Sequence, residues 1–162
     1  MTATLCQTAV GRTTATLRAR IASGVYPPAS TLPLLHSLAA ELGVGMHSLH
    51  EALGRLAAEG LIQRGGGSSR RPVVRAEPVG PSPVARVAQL VRDRVKSGAY
   101  VAGQEISPHV LASEGRVSWP VADQGCAWAR QEGYLRGVDG MQSQHVLWVC
   151  EPDAYALPEP IP

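Results

Sequence analysis

The sequence has few of the features that mark exported, membrane-spanning or disulfide-bonded proteins. It contains no apolar run near the roughly 20 residues that a membrane-spanning helix needs. Its first residues, Met1–Thr4, have neither the basic flank nor the apolar core of a signal peptide. The cysteines, Cys6, Cys126 and Cys150, are odd in number and form no Cys-x-x-Cys pair, so we interpret them as reduced thiols. We therefore expect a cytoplasmic protein with no membrane partner.

Signatures of catalysis are missing as well. The chain has no evident pairing of a nucleophile with a base and no cluster of metal ligands. The glycine run Gly65–Gly67 precedes a predicted strand, whereas a phosphate-binding glycine loop leads into a helix. His47 and His50 have a spacing that metal ligands use, but a third ligand is not apparent, which favours exposed polar histidines. We expect no enzymatic activity, no cofactor and no metal.

Lysine is almost absent, since Lys96 is the only lysine among 15 basic residues. Arginine supplies the rest and is well suited to contacting phosphate groups. Residues 17–75 carry seven arginines and three glutamates, a balance of +4, whereas residues 86–150 carry seven basic and six acidic residues, a balance of +1. If an anionic partner binds the chain, the first of these regions is the better candidate.

The chain contains one pattern twice. Equivalent residues are 74 positions apart up to Leu32 and Ile106, and 73 positions apart from Leu38 and Leu111 onward, so the copies differ by one deleted residue. Such a repeat is too long for a stacked solenoid, whose periods are roughly 20–50 residues. The repeat therefore predicts two similar small domains.

Apolar spacing predicts three helices and then a hairpin in each copy. In the first copy, a turn containing Gly43 joins a helix over about Leu34–Leu42 to one near His47–Glu59, as in a helix-turn-helix. In the second copy, Ser82 is expected to cap a helix that begins at Pro83. A hairpin follows each third helix, around a glycine-rich tip.

We therefore predict a mainly helical α+β chain with two tandem winged helix-turn-helix domains, each of three helices plus a β-hairpin wing. The expected boundaries are residues 13–75 for the first domain, 76–82 for a linker, 83–150 for a degenerate second domain and 151–162 for a Pro-rich tail.

The pattern of the first copy resembles that of the GntR family of bacterial winged-helix regulators. The resemblance covers nearly all of Ile21–Val74, and a weaker version covers Val95–Val149. It implies binding to double-stranded DNA and a role as a transcriptional regulator. Family members normally carry a separate effector-binding domain, but the two copies fill this sequence, so we expect none.

The recognition helices depart from the family pattern. Members usually begin this helix with a Ser-Arg pair and place another arginine four residues later, because arginine reaches phosphates and pairs with guanine. The corresponding residues are Gly45, Met46 and His50 in the first copy and Ser118, Trp119 and Asp123 in the second. An arginine usual in the preceding helix is replaced by His36 and His109. Because Asp123 would repel phosphates, we expect the first copy to supply most of the DNA contact.

The remaining polar side chains of the recognition helices and the arginines beside the wing are the candidate DNA contacts. These are His36, His47, Ser48, His50, Arg55, Arg64, Arg70, Arg71 and Ser118. A wing with arginines can enter a narrow minor groove. A solvated loop with incidental charge is the alternative.

A second function remains open, because the depleted recognition helices also fit a protein-interaction module that has lost DNA binding. Trp119 starts the third helix of the second copy, where it would mark either a protein contact or core packing. The second copy could thus add phosphate contacts, form a homodimer or recruit a protein partner.

Overall fold

The computed structural model describes residues 7–64, 71–77, 79–137, 147–150 and 152. The predicted tip of the first wing, most of the second tip and the predicted tail other than Pro152 lie outside these residues. Within the described residues, six helices and two small antiparallel sheets are present. None of the helices among them is both long and apolar enough to cross a membrane.

The first half contains three helices and a two-stranded sheet. They are α1 (Ala9–Ala22), α2 (Leu35–Leu42), α3 (Met46–Ala58), β1 (Ile62–Gln63) and β2 (Val73–Val74). Thr8 caps α1, since its side chain accepts a hydrogen bond from the Gly11 amide. Helix α1 therefore begins four residues before the expected domain boundary at residue 13. Thr13 and Thr14 lie in α1 and are buried, and their hydroxyls donate to the carbonyls of Ala9 and Val10.

The second half has the same order of helices and a larger sheet. Its elements are α4 (Pro83–Lys96), β3 (Glu105–Ile106), α5 (Pro108–Gly115), α6 (Trp119–Gln131), β4 (Leu135–Gly137) and β5 (Leu147–Val149). The prediction for the start of α4 is confirmed, because Ser82 accepts from the Ala85 amide and Pro83 is the first helical residue. Strand β5 lies between β3 and β4.

The buried apolar side chains form two separate clusters, one in each half. In the first, Leu17, Leu38 and Leu56 from the three helices pack against Ile62 of the sheet. In the second, Val91, Leu111 and Cys126 pack against Leu135 and the rest of the sheet. Val44 and Val117, each of which follows a helix-turn-helix turn, are half-buried.

Polar contacts recur between the halves at the repeat offset. Arg20 donates to the Tyr26 hydroxyl at 3.0 Å and to Glu41 at 2.8 Å. Arg94 makes the equivalent hydrogen bonds to Tyr100, at 2.7 Å, and to Glu114. Each set ties the first helix of its half to the second helix and to the turn between them.

The segment between the halves follows the surface of the first half. The Val79 amide donates to the Gly60 carbonyl at 3.3 Å, and the Ser82 amide donates to the Ala58 carbonyl at 2.8 Å. Gly60 has a φ of +81°, and a Cβ at this position would lie 2.1 Å from the Val79 carbonyl oxygen. The turn after α3 therefore requires glycine both for its conformation and for its closeness to the linker.

Candidate nucleic-acid interface

The turn between α2 and α3 sets the direction of the candidate recognition helix. Gly43 ends α2 in the left-handed conformation, with a φ of +66°. The Val44 amide then donates to the Ala39 carbonyl, which holds the turn against α2. Gly45 caps α3 without a side-chain hydrogen bond. The backbone amides of the first turn of α3 thus have no side chain of the cap residue in front of them.

The histidines predicted as DNA contacts lie on the exposed side of this helix-turn-helix. His36 on α2 and His47 and His50 on α3 are all exposed. The His47 side chain is 88% exposed, and its Nε2 lies 3.1 Å from the carboxylate of Glu51 one turn later. Ser48 is half-buried. The three histidines and Ser48 therefore share an accessible surface, in which Glu51 is the acidic residue facing His47.

Arg64 joins this surface from the hairpin. It follows β1, is exposed, and donates from Nη2 to the His50 carbonyl oxygen at 3.1 Å. A Cβ on Gly54 of α3 would lie 3.0 Å from the same Nη2, so the guanidinium lies directly over the helix at this glycine. The hydrogen bond uses one donor, and the other guanidinium N–H groups of Arg64 can still contact a phosphate.

Arg71 has a structural contact in addition to any role with DNA. Its Nε and Nη2 both donate to the Leu32 carbonyl, at 3.0 and 2.8 Å, and the residue is half-buried. This contact joins the residues just before β2 to the segment before α2. Arg70 and the glycine-rich tip lie outside the described residues.

The structure corrects the assignment of Arg55 as a DNA contact. Arg55 is only 7% exposed. Its guanidinium donates to the Gln131 side chain of the other half and lies 5.3 Å from the centre of the Trp128 ring. Burial lowers the pKa of Arg55, although the charges of Glu51 and Glu132 act against that shift. Arg55 thus lies between the halves, where its side chain contacts Gln131 and Trp128 of α6.

The corresponding surface of the second half is aromatic and acidic. Ser118 is exposed and caps α6 without a side-chain hydrogen bond. Trp119 is half-buried, with its ring 5.6 Å from that of His109 on α5. Asp123 is half-buried one turn further along the helix. The Trp119 ring therefore contacts α5 but is only half-buried. This position is neither that of a fully exposed surface residue nor that of a core residue.

A buried cluster of charged residues lies between the halves and was not predicted from the sequence. This cluster consists of Arg18, Glu59, Arg92 and Glu132. A signal was present, because the second arginine follows the first by 74 residues and the second glutamate follows the first by 73, the offsets of the repeat.

Comparison with known proteins assigns part of the chain to a family. Residues 9–71 match the family model described as bacterial regulatory proteins, gntR family. The match begins at the first residue of α1 and includes the whole helix-turn-helix. These residues form a GntR-type helix-turn-helix domain. The match is to a family of regulatory proteins and not of enzymes, in line with the expected lack of enzymatic activity.

A relative from Mycobacterium tuberculosis is similar over half of the chain. It is named uncharacterized HTH-type transcriptional regulator Rv0494, and it shares 44% identity over 81 residues, which are 50% of this chain and 32% of the relative. The chain therefore spans about a third of the length of this curated relative. No solved structure matches the chain significantly.

Proposed function

We propose that the protein is a DNA-binding transcriptional regulator with two tandem GntR-like winged helices, of which the first supplies most of the DNA contact. The observation that carries this proposal is the match of residues 9–71 to the gntR family model. The name of the relative as an HTH-type transcriptional regulator supports the same class of function. We expect the protein to act on double-stranded DNA in the cytoplasm.

The accessible residues of the first half support its larger share of the contact. His36, His47 and His50 are exposed around the start of α3, and Arg64 lies across that helix. The N-terminal residues of a recognition helix are those that reach base edges in the major groove, while the flanking hairpin contacts the backbone. The second half instead places Asp123 where the first half has His50, and a carboxylate there is repelled by phosphate.

The test uses the salt dependence of DNA binding. We expect the chain to bind mixed genomic duplexes of about 30 base pairs, with an affinity that falls steeply between about 50 and 200 mM salt. The double variant Arg64→Gln/Arg70→Gln should weaken binding at every sequence and lower the slope of log K against log salt by up to about two. Arg71 is kept in this variant, because its guanidinium holds the Leu32 carbonyl.

Arg86→Gln provides a matched control, since Arg86 is exposed on α4, outside both helix-turn-helices and both hairpins. It should bind nearly as the wild type does. If the slope of log K against log salt is unchanged in the double variant, the first hairpin does not contact DNA. Wild-type protein that fails to bind any duplex at low salt would rule out the regulator and favour the alternative.

The alternative is a protein-interaction module, and one observation favours it. In the second half, the surface equivalent to the recognition site contains the paired rings of His109 and Trp119 together with Asp123. Tryptophan is frequent at protein interfaces and unusual as the first residue of a DNA-recognition helix. Under this alternative the double variant above has no effect on partner binding, whereas Trp119→Ala abolishes it.

A further inference from the structure

Four charged side chains form a closed ring between the two halves, here called the charge ring. Arg18 donates to Glu59 of its own half and lies 2.6 Å from Glu132 of the other half. Arg92 lies 3.2 Å from Glu132 and 3.8 Å from Glu59. The four side chains are between 4% and 18% exposed. Each carboxylate therefore lies between two guanidinium groups, one from each half.

Its partners in the ring keep the Arg18 guanidinium charged despite its burial. Burial by itself lowers the pKa of Arg18, but the hydrogen bond to Glu59 and the charges of Glu132 and Glu59 outweigh it, so that the pKa of Arg18 is raised. A buried guanidinium with one partner removed would be left uncompensated, which is strongly destabilising. The ring therefore favours the arrangement in which both halves are in contact.

The charge ring maps onto itself when the halves are exchanged. Arg92 is equivalent to Arg18 at the offset of 74, and Glu132 is equivalent to Glu59 at the offset of 73. Both contacts across the interface are consequently of one kind, an arginine of one half with the glutamate of the other. Reciprocity of this kind defines an isologous interface, as in a dimer with two-fold symmetry.

Backbone hydrogen bonds follow the same two-fold relation. The Thr8 amide donates to the Gln131 carbonyl at 2.8 Å, and the Ser82 amide donates to the Ala58 carbonyl at 2.8 Å. Thr8 and Ser82 are the N-caps of α1 and α4, while Gln131 and Ala58 are the last residues of α6 and α3. The carbonyls at the end of a helix lack partners within the helix. Each half supplies those partners to the other.

The symmetry is broken where Arg55 of the first half meets the second half. Trp128 is equivalent to Arg55 at the offset of 73, and the two side chains contact each other, with the guanidinium 5.3 Å from the ring centre. Cation–π contact stabilises this unlike pair. Two first halves docked in the same way would instead bring two buried Arg55 guanidinium groups together. The interface thus prefers the second half of the chain to another copy of the first.

We propose that the second half is a built-in dimer partner of the first, so that the chain is an internal pseudo-dimer and the 162-residue chain is monomeric. The contacts that support this do not depend on DNA binding. The consequence for DNA binding rests on the proposed function. Because α3 and α6 contact each other near their C-terminal ends, the N-termini of both candidate recognition helices can face DNA without a second chain. Each of these 13-residue helices is about 20 Å long.

The test reverses charges within one half at a time. The double variant Arg18→Glu/Glu59→Arg keeps an ion pair within the first half but makes both contacts across the ring like-charged. The quadruple variant, which adds Arg92→Glu and Glu132→Arg, restores alternating charges. A further variant, Trp128→Arg, places a second arginine beside Arg55 and leaves the ring unchanged.

Amide exchange of Thr8 and Ser82, measured by NMR on the full chain, reports docking directly, because both amides donate across the interface. We expect protection of both amides to fall on the order of a hundredfold in the double variant and in Trp128→Arg, and to return in the quadruple variant. The Leu38 amide, which donates to Leu34 within the first half, shows whether that half remains folded. The radius of gyration in solution should increase with the loss of protection.

Three results would overturn the proposal. One is unchanged protection of Thr8 and Ser82 in both the double variant and Trp128→Arg. Another is a quadruple variant that stays undocked while the Leu38 amide remains protected. The third is a light-scattering mass of twice 17.1 kDa for the wild type at micromolar concentration, because the chain would then be a dimer and not a monomer. None of these measurements involves DNA. A result that contradicts docking of the halves therefore does not argue against DNA binding, and a lack of DNA binding does not argue against docking.

Discussion

Single arginines of this chain have different roles that depend on their burial. Arg64 is exposed over α3 and can face phosphate, whereas Arg71 is half-buried on the Leu32 carbonyl. Arg55 and Arg92 are each 7% exposed and contact the opposite half. A guanidinium that is both buried and paired cannot leave its partner for a phosphate without leaving a charge uncompensated. Of these four arginines, Arg64 is therefore the one whose guanidinium is most accessible to a phosphate.

Among single residues, Cys126 should also make the second half less stable as pH rises into the alkaline range. Cys126 is 1% exposed, and burial, with the charge of Asp123, raises the pKa of its thiol from 9.0 to about 12. The unfolded chain therefore loses the proton at lower pH than the folded chain. Stability is unaffected by this group below pH 9 and falls as pH rises from 9 towards 12, by up to about 1.4 kcal/mol per pH unit.

The check is urea unfolding of wild type and Cys126→Ala between pH 8 and pH 11. Other groups titrate in this range, but they are common to both proteins. The stability advantage of the wild type should thus shrink as pH rises above 9. A constant difference between the two proteins would mean that the thiol ionises equally in the folded and unfolded chain.

Helix positions were predictable from sequence because apolar residues recur in register in both copies. The predicted third helix near His47–Glu59 and the observed α3 differ by one residue at each end. Residues 9–12 of α1 precede the expected boundary and carry few large apolar side chains, and the one buried residue among them, Gly11, lies against α6 of the other half. The same reason explains Arg55, since the sequence of one helix does not reveal which distant helix covers it. For the candidate site, His47 and His50 were expected to be exposed because no third metal ligand accompanies them, but the contact of Arg64 with α3 was not expected.

At the scale of elements, the approach of α1 to α6 depends on Gly11. A Cβ at this position would lie 1.8 Å from the Gln131 carbonyl oxygen, which is backbone and cannot move aside. We expect Gly11→Ala to separate the helices and to lower the free energy of unfolding by about 1–3 kcal/mol. Protection of the Thr8 amide should fall with it, because Thr8 donates to the same carbonyl.

Gly54→Ala is the matched control, because Gly54 is also helical and is half-buried. Its added Cβ would contact the mobile end of Arg64 at 3.0 Å. Alanine is favoured over glycine in a helix by up to about 1 kcal/mol, so this variant should be neutral or more stable in urea. Equal destabilisation by the two substitutions would show that the closeness of α1 and α6 is unimportant.

For the whole molecule, docking compensates for the small size of each half. A unit of about 65–75 residues buries a limited fraction of its surface. The interface adds burial for α1, α3, α4 and α6, although much of it is charged, and buried ion pairs contribute more to a defined arrangement than to stability. The charge ring therefore explains the fixed orientation of the halves better than it explains their stability. The repeat is visible in the sequence, but the two-fold docking depends on contacts between residues far apart along the chain, which the sequence does not reveal.

The division of roles between the halves leads to a prediction for Asp123. It lies on α6 where the first half has His50, and the docking of the halves places both helices in one body. Asp123→Arg removes a repelled charge and adds an attractive one, so DNA affinity of the full chain should increase about tenfold, and the slope against log salt should steepen by about one. Asp93→Arg, on the exposed side of α4, changes the net charge equally and is the control. If both variants bind more tightly by the same factor, net charge accounts for the effect. If Asp123→Arg binds no better than the wild type, α6 does not face the duplex. The second half then acts only as the partner of the first.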